Sequence, residues 1–164
     1  MCKHSEPSGE DKSMMQQAID LSMEKMLAGC GGPFGAVIVK DGEIIARGFN
    51  KVTSDHDPTA HAEVVAIREA CNALGTYELR GCEIYTSCEP CPMCLSAIYW
   101  ARIDRIWYGN SRQQAAEIGF DDEFLYREVG TPIEERKIPT RQLLPEEAFK
   151  AFKAWDEKED KILY

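Results

Sequence analysis

The chain is predicted to fold as an α/β protein, a mixed β-sheet with helices on its faces. Three observations carry this. Apolar residues recur at helical spacing before the first β-rich run. Two β-rich runs then meet at Asp41-Gly42, the strongest short hairpin signal. Helical and β-rich stretches alternate after that, which calls for strand–helix–strand units as well as the hairpin.

Taken in order, Met15, Ala18, Ile19, Ser22, Met23, Met26 and Leu27 share a helical stripe. Gly29 supplies a stop, so the spacing predicts a helix over 13–28, with the Met stripe read as core packing. Residues 1–12 read as a polar tail. Ala36–Lys40 and Glu43–Phe49 are the hairpin strands, and residues 51–59 are a polar loop. His61–Leu74 reads as a helix closed by Gly75, Cys82–Thr86 as a short buried strand, and Pro92–Ala101 as a helix entered through proline. Ile103–Tyr108 is a further strand. Short helices are expected over 113–118 and 121–128, and a final one from about Pro145 to Lys158, with Ala148, Phe149, Phe152 and Trp155 on one face.

Composition narrows the function. At 164 residues there is room for one ordinary domain, and 44% hydrophobic content is that of a soluble globular protein. No apolar run approaches the roughly 18 residues of a membrane span, and the N-terminus has no signal-peptide core. Seven cysteines without such a signal point to a reducing cytoplasm, with thiols as metal ligands or small buried residues. A net charge of −9 argues against gripping a phosphate backbone, so no nucleic-acid partner and no membrane partner is expected.

The chemistry lies in His61-Ala62-Glu63 and, further on, Pro90-Cys91-Pro92-Met93-Cys94. The pattern H-x-E … P-C-x-x-C is the signature of zinc-dependent base deaminases. One imidazole and two thiols give a tetrahedral Zn²⁺ three protein ligands and leave the fourth position open, where a structural site would close it. Glu63 is not needed as a ligand and is free to move protons. Both segments lie where a loop enters a helix, and the positive helix end favours thiolate. His61 and Glu63 are two residues apart, so both face one pocket only if His61 sits at an irregular helix entry. Cys88 extends the motif to C-x-x-C-x-x-C and is an alternative ligand, though the pair after Pro90 matches the signature. Cys30, Cys71 and Cys82 read as buried thiols, and His56 as a solvated loop histidine. Gly31-Gly32-Pro33-Phe34-Gly35 is either a turn into the first strand or a close-approach loop that offers Phe34 as a stacking surface.

At these residues the chain resembles the cytidine-deaminase-like superfamily, and within it the small bacterial guanine deaminases. The stretches GGPFGAVIVKDGEIIARGFN (31–50), DPTAHAEVVAIREA (57–70), YTSCEPCPMCLSAIYWAR (85–102) and AEIGFDD (116–122) carry the resemblance, with the terminal Tyr164. It implies a three-layer α/β/α fold around a five-stranded mixed sheet, with one Zn²⁺ per chain. It also implies hydrolysis of guanine to xanthine and ammonia, a purine base being the small-molecule partner. By similarity Asn50 and Asp122 hydrogen-bond the purine and Phe34 stacks on it; in the mechanism expected here, backbone near Ala62 and Cys91 orients the intermediate. Competing functions are deamination of a nucleoside or of adenosine in tRNA, and a non-catalytic zinc module. The domain is expected to span 13–164. Related guanine deaminases exchange the C-terminal segment between subunits, so a homodimer is expected in which about 129–164 is swapped and Tyr164 closes the partner's pocket.

Overall fold

The structure, a computed structural model, describes residues 6–164. Its elements run α1 (Gly9–Leu27), β1 (Gly35–Lys40), β2 (Glu43–Phe49), α2 (Ala62–Leu74), β3 (Cys82–Cys88), α3 (Pro92–Trp100), β4 (Arg105–Asn110), α4 (Arg112–Glu117), α5 (Glu123–Gly130), a 3₁₀ turn (Ile133–Glu135) and α6 (Pro145–Glu157). The chain divides after Asp122 into two compact units.

The first unit holds a mixed sheet in the order β2-β1-β3-β4. β1 runs antiparallel to β2 and β3, and β3 runs parallel to β4. Asp41 (φ 50°) and Gly42 (φ 80°) make the hairpin turn, since a turn with two left-handed residues matches the twist of the strands. Among the described residues four strands stand where the resemblance implies five. The residues themselves supply only four β-rich runs, and Pro132, Pro139 and Pro145 interrupt the later chain where a fifth ladder would need backbone donors.

Helices cover both faces, so three layers are present. Residues on β1 alternate between two cores. Ala36 and Ile38, with Ile84 of β3, join Ala62, Ala66 and Ala70 of α2 and Ile98 of α3, and Val37 and Val39 join Ala18 and Tyr85 under α1. That is why β1 reads as an unbroken apolar run. Full burial of Ile38, Leu79, Ile84 and Ile98 contributes about 1.5–3 kcal/mol each.

The first helix opens four residues earlier than the apolar stripe predicts. Ser8 caps it through a box with Asp11, so residues 8–12, read as polar tail, are cap and first turn. The first part of that tail, residues 1–5, lies outside the described residues. Met15 packs on the core as expected, joined by Met14 from outside the predicted stripe, whereas Met23 and Leu27 are exposed. Small residues do the close packing. A Cβ on Gly48 of β2 would lie 2.1 Å from the Ala62 carbonyl oxygen and 2.5 Å from the Ala66 nitrogen. Helix α2 therefore rests on β2 backbone to backbone.

The second unit, 123–164, contains α5, the 3₁₀ turn and α6, and neither of its helices holds a buried residue. Phe149 and Phe152 meet edge-on at 6.3 Å, and Phe152, Leu163 and Tyr164 are about three-quarters exposed at 73%, 74% and 74%.

Gly48→Ala is expected to cost about 2 kcal/mol or more, because the obstructing atoms are backbone. That corresponds to a fall of about 6 °C in Tm for a chain of this size, read by calorimetry. A Tm within a degree of the parent would mean that the β2–α2 spacing is soft.

Candidate active site

Two helix entries build the site. His61 precedes α2 with extended backbone (φ −69°, ψ 156°), and Cys91 precedes α3 in the same way (φ −65°, ψ 167°). The change from extended to helical backbone after His61 is what turns His61 and Glu63, two residues apart, toward one place. Neither His61 nor Cys91 spends its side chain on capping, whereas Ser8 and Ser111 cap α1 and α4 with full boxes. Forgoing a cap costs about 1 kcal/mol. Here it leaves an imidazole and a thiol aimed off the helix ends.

The loop before α2 is held from several sides. Asp57 accepts from the Thr59 N–H at 2.8 Å and from its hydroxyl at 2.7 Å, and faces Arg68 of α2 at 3.4 Å. The Lys51 N–H donates to the Ala60 carbonyl at 2.9 Å. The metal-ligand loop after β3 is held by Ser87, whose hydroxyl accepts the Gly35 N–H at 3.0 Å.

The ligand atoms of His61, Cys91 and Cys94 lie within 4.8 Å of one another. His61 Nδ1 is 3.7 Å from Cys91 Sγ and 3.5 Å from Cys94 Sγ. Tetrahedral zinc with ordinary Zn–N and Zn–S bonds requires an N···S edge of about 3.6 Å, so the donors fit zinc as they stand. Between themselves the thiols divide one charge. The hydrogen bond from Cys94 holds Cys91 down at about 4, against burial and with help from the His61 ring. That contact with Cys91, and then burial, push Cys94 up. Its Cys91 contact raises His61.

Glu63, in the first turn of α2, is buried at 6% exposure. Burial raises its pKa above the ordinary carboxylate range, and the Cys91 charge adds to this. A carboxyl so placed exchanges protons nearer neutrality. Cys88 is buried, with Sγ 4.0 Å from the Ser111 carbonyl, and lies outside the ligand cluster. Burial lifts its pKa to about 11. His56 is exposed with φ 53°, as a loop histidine should be. Cys82 is buried as expected, but Cys30 and Cys71 are only half-buried.

The other residues singled out from sequence are placed as follows in the fold. Asn50 is buried, and its side-chain oxygen accepts from Gly32 N–H at 3.4 Å and Val52 N–H at 3.3 Å. It therefore organises the loops on both sides of it. Phe34 is half-buried against the α2 core. Ala62 is fully buried at the first position of α2. Asp122, half-buried, has its pKa raised by burial and then by the Cys91 charge, so it stands near the metal ligands. Tyr164 belongs to the second unit.

Three contributors were not read from sequence. Phe120 meets Phe34 edge-on at 4.8 Å, Ser87 makes the bond to Gly35, and Glu89 accepts from the Arg112 N–H at 3.1 Å. Each acts across elements far apart in the chain, so no local spacing marks it.

The fold and this three-ligand site with its buried carboxylate define a hydrolytic zinc deaminase. The family profile for the cytidine and deoxycytidylate deaminase zinc-binding region matches residues 8–110, and the chain belongs to that family. It is 56% identical over 144 residues to the guanine deaminase of Bacillus subtilis, across 88% of this chain and 92% of that one. The X-ray structure of guanine deaminase from Bacillus subtilis superposes with a TM-score of 0.91 at 54% identity, covering 93% of this chain and 98% of that one. The tRNA-specific adenosine deaminase of Aquifex aeolicus is 53% identical over 74 residues, only 45% of this chain and 49% of that one. All described cysteines are free thiols, and none of the described helices is long and apolar enough to cross a membrane.

Replacing His61, Cys91 or Cys94 by Ala is expected to remove zinc and activity together, measured by metal analysis of purified protein. Glu63→Gln should retain about one zinc per chain and lose at least about a hundredfold in kcat, the usual contribution of general acid–base catalysis. Turnover within a few-fold of the parent would exclude Glu63 as the proton carrier.

Proposed function

We propose that this chain is a zinc-dependent guanine deaminase, hydrolysing the free base to xanthine and ammonia. One observation carries the substrate assignment. The similarity to a guanine deaminase runs at 56% identity through nearly all of both chains, into the segment 111–164, while a tRNA deaminase that matches 68% of both chains does so at 39% identity and the one at 53% identity spans less than half of either. The net charge of −9 supports a small uncharged substrate over a polyanion.

His61, Cys91 and Cys94 would hold the metal. Zinc, when bound, supplies a Lewis acid that lowers the pKa of a coordinated water to about 7. Glu63 accepts a proton from the attacking water and passes it to the ring nitrogen beside the amino-bearing carbon of guanine. The carbon becomes tetrahedral, Glu63 takes the proton of the newly added hydroxyl and carries it to the amino group, and ammonia leaves as the C–N bond breaks and the carbonyl of xanthine forms. Burial suits Glu63 to both directions of transfer, because it narrows the gap between the carboxyl and the groups it serves. The Asn50 side-chain oxygen is already engaged by Gly32 and Val52, which leaves its NH₂ to meet a purine acceptor. Asp122, a carboxylate, accepts from purine N–H groups. Phe34, backed by Phe120, gives the base a flat apolar wall, and the Ala62 N–H at the α2 start is a donor for the reacting centre.

In an ammonia-release panel at equal concentrations, guanine should exceed cytosine, adenine, guanosine and cytidine in kcat/KM. Asn50→Ala and Asp122→Ala should each lower kcat/KM for guanine about tenfold or more, since removing a partner from a buried polar group costs about 1–3 kcal/mol. Preference for a nucleoside, or for adenosine in a tRNA anticodon stem, would replace the free-base assignment.

The same reading includes assembly. The apolar side chains of 123–164 include Phe152, Ile162, Leu163 and Tyr164, all more than half exposed in the single chain. An apolar terminus stays ordered only when something ties it down, and exchange of an identical segment is a low-cost route to a dimer. The chain then works as a homodimer in which Tyr164 of one subunit closes the pocket of the other. Deleting residues 162–164 should raise KM or lower kcat with zinc content unchanged. Mixed dimers of Glu63→Gln and tail-deleted chains should regain part of the activity, because one hybrid pocket then has both Glu63 and a donated tail. A monomeric parent, or no recovery in verified mixed dimers, would rule out the exchange.

A further inference from the structure

Glu89 sits between Cys88 and the Pro90-Cys91 pair, yet it is neither a metal ligand nor a proton carrier. It holds the loop after β3 to the start of a different segment at two points. Its backbone N–H donates to the Asn110 carbonyl at 2.8 Å, and its carboxylate Oε2 accepts the Arg112 N–H at 3.1 Å. Two further bonds lie alongside. The Asn110 amide donates to the Ser87 carbonyl at 3.1 Å, and the Cys88 thiol faces the Ser111 carbonyl at 4.0 Å. The end of β4 and the opening of α4 are thereby fastened to the loop that carries the thiolates.

The residues just beyond α4 make this fastening consequential. Ser111 and Gln114 close a capping box, α4 lasts only from Arg112 to Glu117, and Gly119 (φ 93°) turns the chain back toward Phe120 and Asp122. Phe120 reaches Phe34, and Asp122 reaches the electrostatic neighbourhood of Cys91, Arg112 and Glu89 itself. A short, largely exposed helix has little burial of its own to fix its direction, Ala115 being its one buried residue. Its attachment at the N-terminal end sets where its far end points.

We propose that Glu89 is a positioning residue for substrate recognition. Through the Arg112 N–H it fixes α4 on the metal-ligand loop and so sets the place of Asp122 relative to Cys91 and Glu63. The assignment rests on the proposed function, in which Asp122 meets the purine.

The test compares Glu89→Ala, Glu89→Met and Glu89→Gln in the zinc-loaded full-length enzyme with guanine as substrate. Glu89→Ala should raise KM about tenfold, leave kcat within about threefold and leave zinc content at the parent value. Glu89→Met, of similar length but without an acceptor, should do the same and serves if the Ala variant fails to fold. Glu89→Gln keeps an oxygen for the Arg112 N–H and should stay within about twofold of the parent. In an Asp122→Ala background the Glu89→Met change should lose most of its effect, because the two residues act on one contact. Loss of zinc in Glu89→Met, or full additivity with Asp122→Ala, would overturn the proposal by placing Glu89 in general support of the metal loop. Were Asp122→Ala itself silent toward guanine, the reading of Asp122 would fail. An Asp122→Ala defect with Glu89→Met at parent KM would refute the positioning role alone.

Discussion

The structure depends on two helix N-termini meeting at one point. α2 and α3 begin where His61 and Cys91 leave extended backbone, and neither residue caps the helix it opens. The alternative, a serine or aspartate at each position, would strengthen both helices and leave no metal site. The stability given up at these entries is offset by packing behind them. Ala62, Ala66, Ala70 and Ile98 are buried against the sheet, and Gly48 lets α2 lie directly on β2. With α2 and α3 each anchored along their length, the N···S separations of 3.5 and 3.7 Å are set by the scaffold, close to what zinc requires. Such a centre is preorganised, so little reorganisation is needed when metal binds.

The same geometry accounts for the electrostatics. Glu63 is buried beside two thiols and an imidazole, and burial lifts its pKa. In a surface position it would be a permanently ionised carboxylate, a poor donor to a departing amine. Thiolates at the site offset a dication's charge, which suits a neutral base as substrate. The residues proposed to meet the base come from elsewhere, Asn50 and Phe34 from the loops flanking the hairpin and Asp122 from the end of the first unit. Joining them to the metal centre falls to inter-loop hydrogen bonds, those of Ser87 and Glu89 among them. On that proposal chemistry and recognition are carried by different elements, a separation that lets one scaffold serve several substrates.

The cluster of His61, Cys91 and Cys94 was legible from residues alone, because ligand chemistry limits which side chains hold an open tetrahedral zinc. Six of the main elements, β1, β2, α2, β3, α3 and β4, were legible from periodicity and turn residues to within about two residues, the usual fraying of element ends. The start of α1 was not, since the apolar stripe begins after the Ser8–Asp11 box that opens the helix. The fifth strand was expected from resemblance alone and is absent from the described sheet.

What the sequence determined by itself was local, namely the donor set, the free carboxylate, the hairpin at Asp41-Gly42 and the alternation of strand with helix. These are properties of residue type and short spacing. What only the tertiary structure decided was relational. It brought His61 to within 4 Å of two thiols thirty and more positions away. It set Phe120 against Phe34 and bound Glu89 to the opening of α4. Contacts of that kind depend on how the sheet twists and where two helices cross it. A single sequence encodes them only through the packing of the whole chain.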